Sequence, residues 1–208
     1  MWMQVFAMPE AVLRLFPDVG ASHFLSKLPD YFGEYIGLTG ARVDGATMVT
    51  CGLATHFVFS KDFPLLERAL SSVDSSNASD ILSVINKYAQ KSNRKEEELH
   101  KRLKSINRCF SRQTVEGILH SLEKELLDNS AEKWITDAVS DMKSASPTSL
   151  KIFLRSIREG RGQTIEQCLA HREYTIFCNI VRRKITNDYY EGSRAIFFDK
   201  DKKPKVQT

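Results

Sequence analysis

The sequence predicts an α+β chain that is mostly α. Three observations carry this reading. An apolar, strand-like run ends at Met8 just before two proline-stiffened turns, brief strand character returns at His56–Phe59, and beyond residue 80 apolar residues recur at helical spacing. Val5 to Met8 reads as the end of a buried strand, and Ala21 to Leu28 as a short helix stopped by Pro29. Asp44 is placed to N-cap a helix through Cys51, which Gly52 ends in the left-handed conformation, and a further helix follows at Phe63–Leu70. The Ser-rich stretch 71–79 (SSVDSSNAS) reads as a linker, so the predicted organisation is 1–70, linker, and a helical region over 80–208.

In that helical region Leu82, Ile85 and Tyr88 share one face. Asn93 to Lys104 is so charged that a solvated helix face, supported by Glu-to-Lys and Glu-to-Arg pairs four apart, explains it without any binding role. Ser111 or Thr114 opens a helix with Val115, Ile118, Leu119, Leu122 and Leu126 on one stripe. Ser146-Pro147 is an N-cap followed by proline at the first helical position, and Leu150, Phe153, Leu154 and Ile157 line one face until Gly160. A last long helix, Thr164 to about Ile185, is expected to turn Cys168, Leu169, Tyr174, Phe177, Cys178 and Val181 inward, ahead of Ala195–Phe198 and a Lys-rich tail.

Composition narrows the function classes. A net charge of +4, dispersed along 208 residues, is too mild for a nucleic-acid surface, and no apolar run approaches the ~20 residues of a membrane span. The four cysteines, Cys51, Cys109, Cys168 and Cys178, lie far apart with no CxxC, which fits reduced intracellular thiols. His23, His56, His100, His120 and His171 are isolated from other ligand-type residues, so no metal is expected. No Gly-x-Ser-x-Gly elbow supports a serine triad. Arg182-Arg183-Lys184, Arg194, Lys200 and Lys205 read as solvated basic residues at helix ends and in the tail. Neither a targeting peptide nor a Ser-Lys-Leu type of C-terminus is visible.

The chemistry-bearing residues are Glu10, in Met8-Pro9-Glu10, and Asp18, in Phe16-Pro17-Asp18-Val19-Gly20. Proline fixes its own φ and biases the preceding residue towards extended geometry, so each turn presents its acid in a narrow range of directions. Two carboxylates eight residues apart suit general acid–base work, although a lone Pro-Glu is more often a helix-entry acid and Asp18 is also a good N-cap for the helix that follows. These motifs, with Leu28-Pro29, Gly37-Leu38-Thr39-Gly40-Ala41-Arg42, Gly52–His56, Phe110–Thr114, Ser146–Lys151, Glu191–Ala195, Asp199-Lys200-Asp201 and Pro204-Lys205, occur in an order that resembles the 3-hydroxyisobutyryl-CoA hydrolases, a thioesterase branch of the enoyl-CoA hydratase/isomerase (crotonase) superfamily.

The resemblance implies that residues 1–70 are a remnant of the crotonase β-β-α spiral and that 80–208 are its C-terminal helical region. It implies Glu10 as base or nucleophile at a thioester carbonyl. Asp18 would handle protons on the departing thiol or hold the substrate hydroxyl. The implied substrate is an acyl-CoA, in valine breakdown, with no separate cofactor because CoA belongs to the substrate. The implied compartment is the mitochondrial matrix or the peroxisome. The implied assembly is a homo-oligomer or a complex with intact relatives. Family members draw oxyanion donors from glycine-rich turns, whereas the ten glycines here lie singly, so the chain is expected to be an N-terminally truncated family member that lacks the family's N-terminal half and is inactive alone. Two other readings remain open: an enoyl-CoA hydratase, disfavoured by the Phe-Pro-Asp turn, and a non-catalytic helical interaction protein.

Overall fold

The computed structural model describes residues 5–90, 93–128, 132–201 and 203–205. In chain order it has β1 (Val5–Phe6), a 3-10 turn (Pro9–Leu13), α1 (Ala21–Phe24) with a 3-10 extension (Leu25–Lys27), α2 (Phe32–Thr39), β2 (Val43–Asp44) and α3 (Gly45–Thr50). Then follow α4 (Phe63–Ser71), α5 (Ala78–Tyr88), α6 (Asn93–Phe110), α7 (Val115–Asp128), α8 (Lys133–Ser144) and α9 (Pro147–Gly160). A π-helical segment (Gln167–Glu173) runs into α10 (Tyr174–Val181), and α11 (Asp188–Ser193) into a second π-helical segment (Arg194–Phe198). This is the α-rich α+β class expected. Among the described residues no helix is long and apolar enough to cross a membrane.

The contacts divide the chain into two compact units, one holding β1 and the segment Val43–Lys101, the other Ala7–Arg42 and the segment from Arg102 onward. In the first, β1 pairs antiparallel with β2, Val5 opposite Asp44 and Phe6 opposite Val43. Asp44 caps α3 as expected, its Oδ1 accepting from Thr47 N at 2.9 Å and Thr47 Oγ1 at 2.7 Å, and Gly52 is left-handed at φ 79°. The expected strand at His56–Phe59 is not formed. Phe57 and Phe59 stack edge-on at 5.3 Å, and the Phe57 carbonyl takes Gln90 N at 2.8 Å, a single cross-link where a strand needs a ladder. On α5, Leu82 is exposed while Ile85 and Tyr88 are half-buried.

The second unit has its core where α2, α8 and α9 meet, with α1 on α9 and α7 on α8. Phe16, Phe32, Ile36, Phe110, Ile118, Leu122, Phe153 and Ile157 are all fully buried there. The helix α2, which contains Gly33 and Gly37, was not expected. Packing accounts for them: a Cβ on Gly33 would meet the Leu25 carbonyl oxygen at 2.1 Å, and one on Gly37 the Phe153 ring at 2.0 Å. The helices α8 and α11 were likewise not anticipated. The helix α6 outruns its charged stretch to bury Ile106, Cys109 and Phe110.

Caps fall where the sequence places them. Thr114 accepts Gly117 N at 3.0 Å, and Ser146 accepts Ser149 N at 3.3 Å while donating to the buried Asp188 at 2.5 Å. The last long helix departs from expectation. Cys168 and Ile180 are buried, but Leu169, Tyr174 and Val181 are exposed. The i→i+5 winding of Gln167–Glu173 rephases the apolar stripe, so an ordinary helical period misplaces these side chains.

Candidate active site

Both candidate carboxylates lie in the second unit, on irregular backbone between short elements. Pro9 takes the first position of the 3-10 turn and puts Glu10 in its first turn; the Glu10 carbonyl accepts Leu15 N at 3.0 Å, closing the turn. Met8 is buried, and the left-handed Gly40 that ends α2 comes so close that a Cβ there would sit 3.4 Å from the Met8 carbonyl oxygen. The Met-Pro-Glu turn thus rests on the end of a core helix.

The second turn is more strained. Phe16 and Pro17 are buried, Asp18 is half-buried, and both following residues are left-handed, Val19 at φ 52° and Gly20 at φ 91°. Positive φ is ordinary for glycine and a true outlier for a β-branched residue. The Asp18 carbonyl accepts Ala21 N at 2.9 Å, but its carboxylate does not cap α1, contrary to one sequence expectation. The N–H groups of Gly20 and Ser22 go instead to the carboxylate of Glu173, at 2.7 Å and 3.0 Å. Asp18 is thereby left open for other work.

Electrostatics ties the residues together. Burial pushes the Glu10 carboxyl above its ordinary value, its own backbone N–H opposes this, and the Asp18 charge adds to the rise. Burial likewise raises Asp18, again opposed by its backbone N–H, with Glu173 adding repulsion. Glu10 therefore feels the Asp18 charge, and Glu10 Oε2 is a buried oxygen with no hydrogen-bond partner. Such a pair can hold one proton between two roles, acid and base. Glu173, separated from the turn by about 150 residues of chain, carried no sequence signal beyond its place in a charged run, His171-Arg172-Glu173. Among the described residues no group of His, Cys, Asp and Glu gathers as a metal would need.

The model for the enoyl-CoA hydratase/isomerase family matches residues 3–208. The chain belongs to that family. Among its relatives, 3-hydroxyisobutyryl-CoA hydrolase 1 of Arabidopsis thaliana is 52% identical over 201 residues, which are 97% of the chain and 53% of the relative. The human 3-hydroxyisobutyryl-CoA hydrolase, mitochondrial, is 36% identical over 204 residues, 97% of the chain and 50% of the relative. The crystal structure of a carnitinyl-CoA dehydratase from Mycobacterium thermoresistibile matches with a TM-score of 0.80 at 25% identity, covering 99% of this chain and 56% of that one. The chain spans about half the length of the curated relatives it matches. The crotonase resemblance expected from the motifs is therefore upheld, and one of these relatives is named as mitochondrial.

Proposed function

We propose that this chain carries the acid–base half of a CoA-thioester hydrolase site of the 3-hydroxyisobutyryl-CoA type. The reading is carried by Glu10 and Asp18, two half-buried carboxylates in proline-directed turns of one short segment, the Asp18 charge adding to the rise at Glu10. The likeness to relatives named as hydrolases of this ester chooses the reaction. In hydrolysis the oxygen of water ends on the acyl carbon, the C–S bond breaks, and CoA departs as a thiol after receiving a proton. Glu10, as base or nucleophile, acts at the carbonyl. Asp18 delivers the proton to sulfur or holds the substrate hydroxyl. No separate cofactor takes part, the place of work is mitochondrial, and the chain assembles with itself or with intact relatives.

The experiment is a fusion behind the N-terminal half of an intact hydrolase, with free CoA released from 3-hydroxyisobutyryl-CoA followed by a thiol reagent. Hydrolysis should appear in the fusion and fall far more in turnover than in KM on Glu10→Gln. A fusion that folds and binds the ester yet hydrolyses it equally well with Glu10→Gln and Asp18→Asn overturns the assignment. A second reading, hydration of an enoyl-CoA, is favoured by the family description and the dehydratase likeness. It replaces the first if the fusion hydrates crotonyl-CoA and leaves the thioester intact.

A further inference from the structure

We propose that Glu173 is the positioning residue of this site: its buried carboxylate clamps the Asp18–Ser22 turn and so holds Asp18 beside Glu10. The inference rests on the reading of Glu10 and Asp18 as the working pair. Glu173 closes the π-helical segment before α10, and only 2% of its surface is exposed. Burying a carboxylate is costly unless donors surround it. Both its oxygens are met: Oε2 accepts Gly20 N at 2.7 Å, and Oε1 accepts Ser22 N at 3.0 Å and Ser22 Oγ at 2.5 Å. The hydroxyl contact has the length of a charge-assisted bond.

Why the turn needs a clamp follows from its backbone. A left-handed Val19 stores strain, and such strain persists only where surrounding structure over-determines it. The Val19 side chain is 72% exposed, so packing does not hold it in place. What holds it is the turn bond from Ala21 N to the Asp18 carbonyl, closed over Val19, together with the backbone bonds that Gly20 and Ser22 make to Glu173. Gly20 cannot easily change, since at φ 91° an added Cβ would also meet Ile165 Cδ1 at 3.1 Å. Released from Glu173, Val19 relaxes towards negative φ, and Asp18, one residue before it, swings with the relaxing backbone. The Glu173 charge also reaches Asp18, adding to the repulsion that keeps Asp18 inclined to hold a proton.

A mere cap on the four-residue helix α1 would make the same bonds, so the test must read Asp18 itself. The probe is the chain with 13C-labelled Asp carboxylates, comparing wild type with Glu173→Gln. A glutamine keeps the shape, offers one acceptor oxygen in place of two, and removes the charge. Gly20 and Ser22 amide exchange should quicken by about tenfold or more, the loss expected for a bond to a charged acceptor, while core amides such as Phe153 keep their protection. The Asp18 titration midpoint should move down. In the hydrolase fusion, turnover should fall with KM unchanged and the pH profile should shift with Asp18. Unchanged exchange at residues 20 and 22, or an unmoved Asp18 midpoint in a folded variant, overturns the proposal. If Glu173→Gln does not fold, Ser22→Ala decides: it keeps the charge but removes the 2.5 Å bond, and it should still quicken exchange at Gly20. Equal protection there refutes the clamp. The exchange and titration readings need no activity, so an inactive fusion sinks the hydrolase reading without touching this one.

Discussion

Glu10→Gln should make this protein more stable at neutral pH. Glu10 Oε2 is buried with no partner, and an ionised carboxylate also faces the Asp18 charge. A buried unpaired acceptor costs about 1–3 kcal/mol, and the part-exposed position of Glu10 places it at the low end of that range. A glutamine still leaves one polar atom under-satisfied but carries no charge, so the net gain is about 0.5–1 kcal/mol, or ~1–4 °C in Tm for a chain of this size. The pH dependence fixes the cause. Because the folded carboxyl lies above its ordinary value of 4.5, the folded state binds the proton more tightly than the unfolded state does. The burden on the wild type is therefore absent below that ordinary value and grows as pH rises through the folded one. Urea unfolding followed by circular dichroism at pH 7 and pH 4 measures both limits. The stability difference between variant and wild type should be positive at pH 7 and shrink towards zero at pH 4. A less stable Glu10→Gln at pH 7, or a difference that does not change with pH, refutes the argument.

Arg14 is left-handed at φ 58° and buried, with Nε and Nη1 unpartnered and a long 3.5 Å contact from Nη2 to the Ser144 carbonyl. Arg14→Gly removes a left-handed penalty of roughly 1–2 kcal/mol together with a poorly paired buried charge, so its urea midpoint should rise. Gly160→Ala should do the reverse. Helix propensity favours alanine by ~1 kcal/mol, but the new Cβ would stand 2.0 Å from the Ser22 carbonyl oxygen, a backbone atom, and overpacking of ~1–3 kcal/mol wins. A thermal melt that moves up on Gly160→Ala would mean that α1 and α9 can separate without loss.

The parts of the fold legible in the sequence are those specified by local chemistry. Asp44, Thr114 and Ser146 cap the helices they precede, and Gly52 ends α3 in the left-handed conformation, because a cap is decided within four residues. What escapes is decided at long range. The helix α2 hides behind Gly33 and Gly37, whose purpose is visible only once Leu25 and Phe153 stand against them. His56–Phe59 has strand residues but forms no strand, because the backbone bond it makes with Gln90 is not extended into a ladder. The outward-facing Tyr174 and Leu169 follow from a π winding that no local period announces.

The candidate site follows the same division, and the division bears on how it works. Glu10 and Asp18 are legible because proline and turn residues on the same short segment aim them. Glu173 is not, because its part is to accept bonds from residues some 150 positions earlier. Between residues 10 and 20 lie an unpartnered buried carboxylate oxygen at Glu10, a left-handed and half-paired arginine at Arg14, and a left-handed valine at Val19. Each raises the free energy of the folded state. Their concentration on one short segment, over a core otherwise closely packed, fits the site proposed there. The opposite outcomes predicted for the two glycine variants express this. Adding glycine at Arg14 relieves a cost carried by the site segment, whereas removing it at Gly160 breaks the packing of α1 on α9, the helix pair that follows the turn clamped by Glu173.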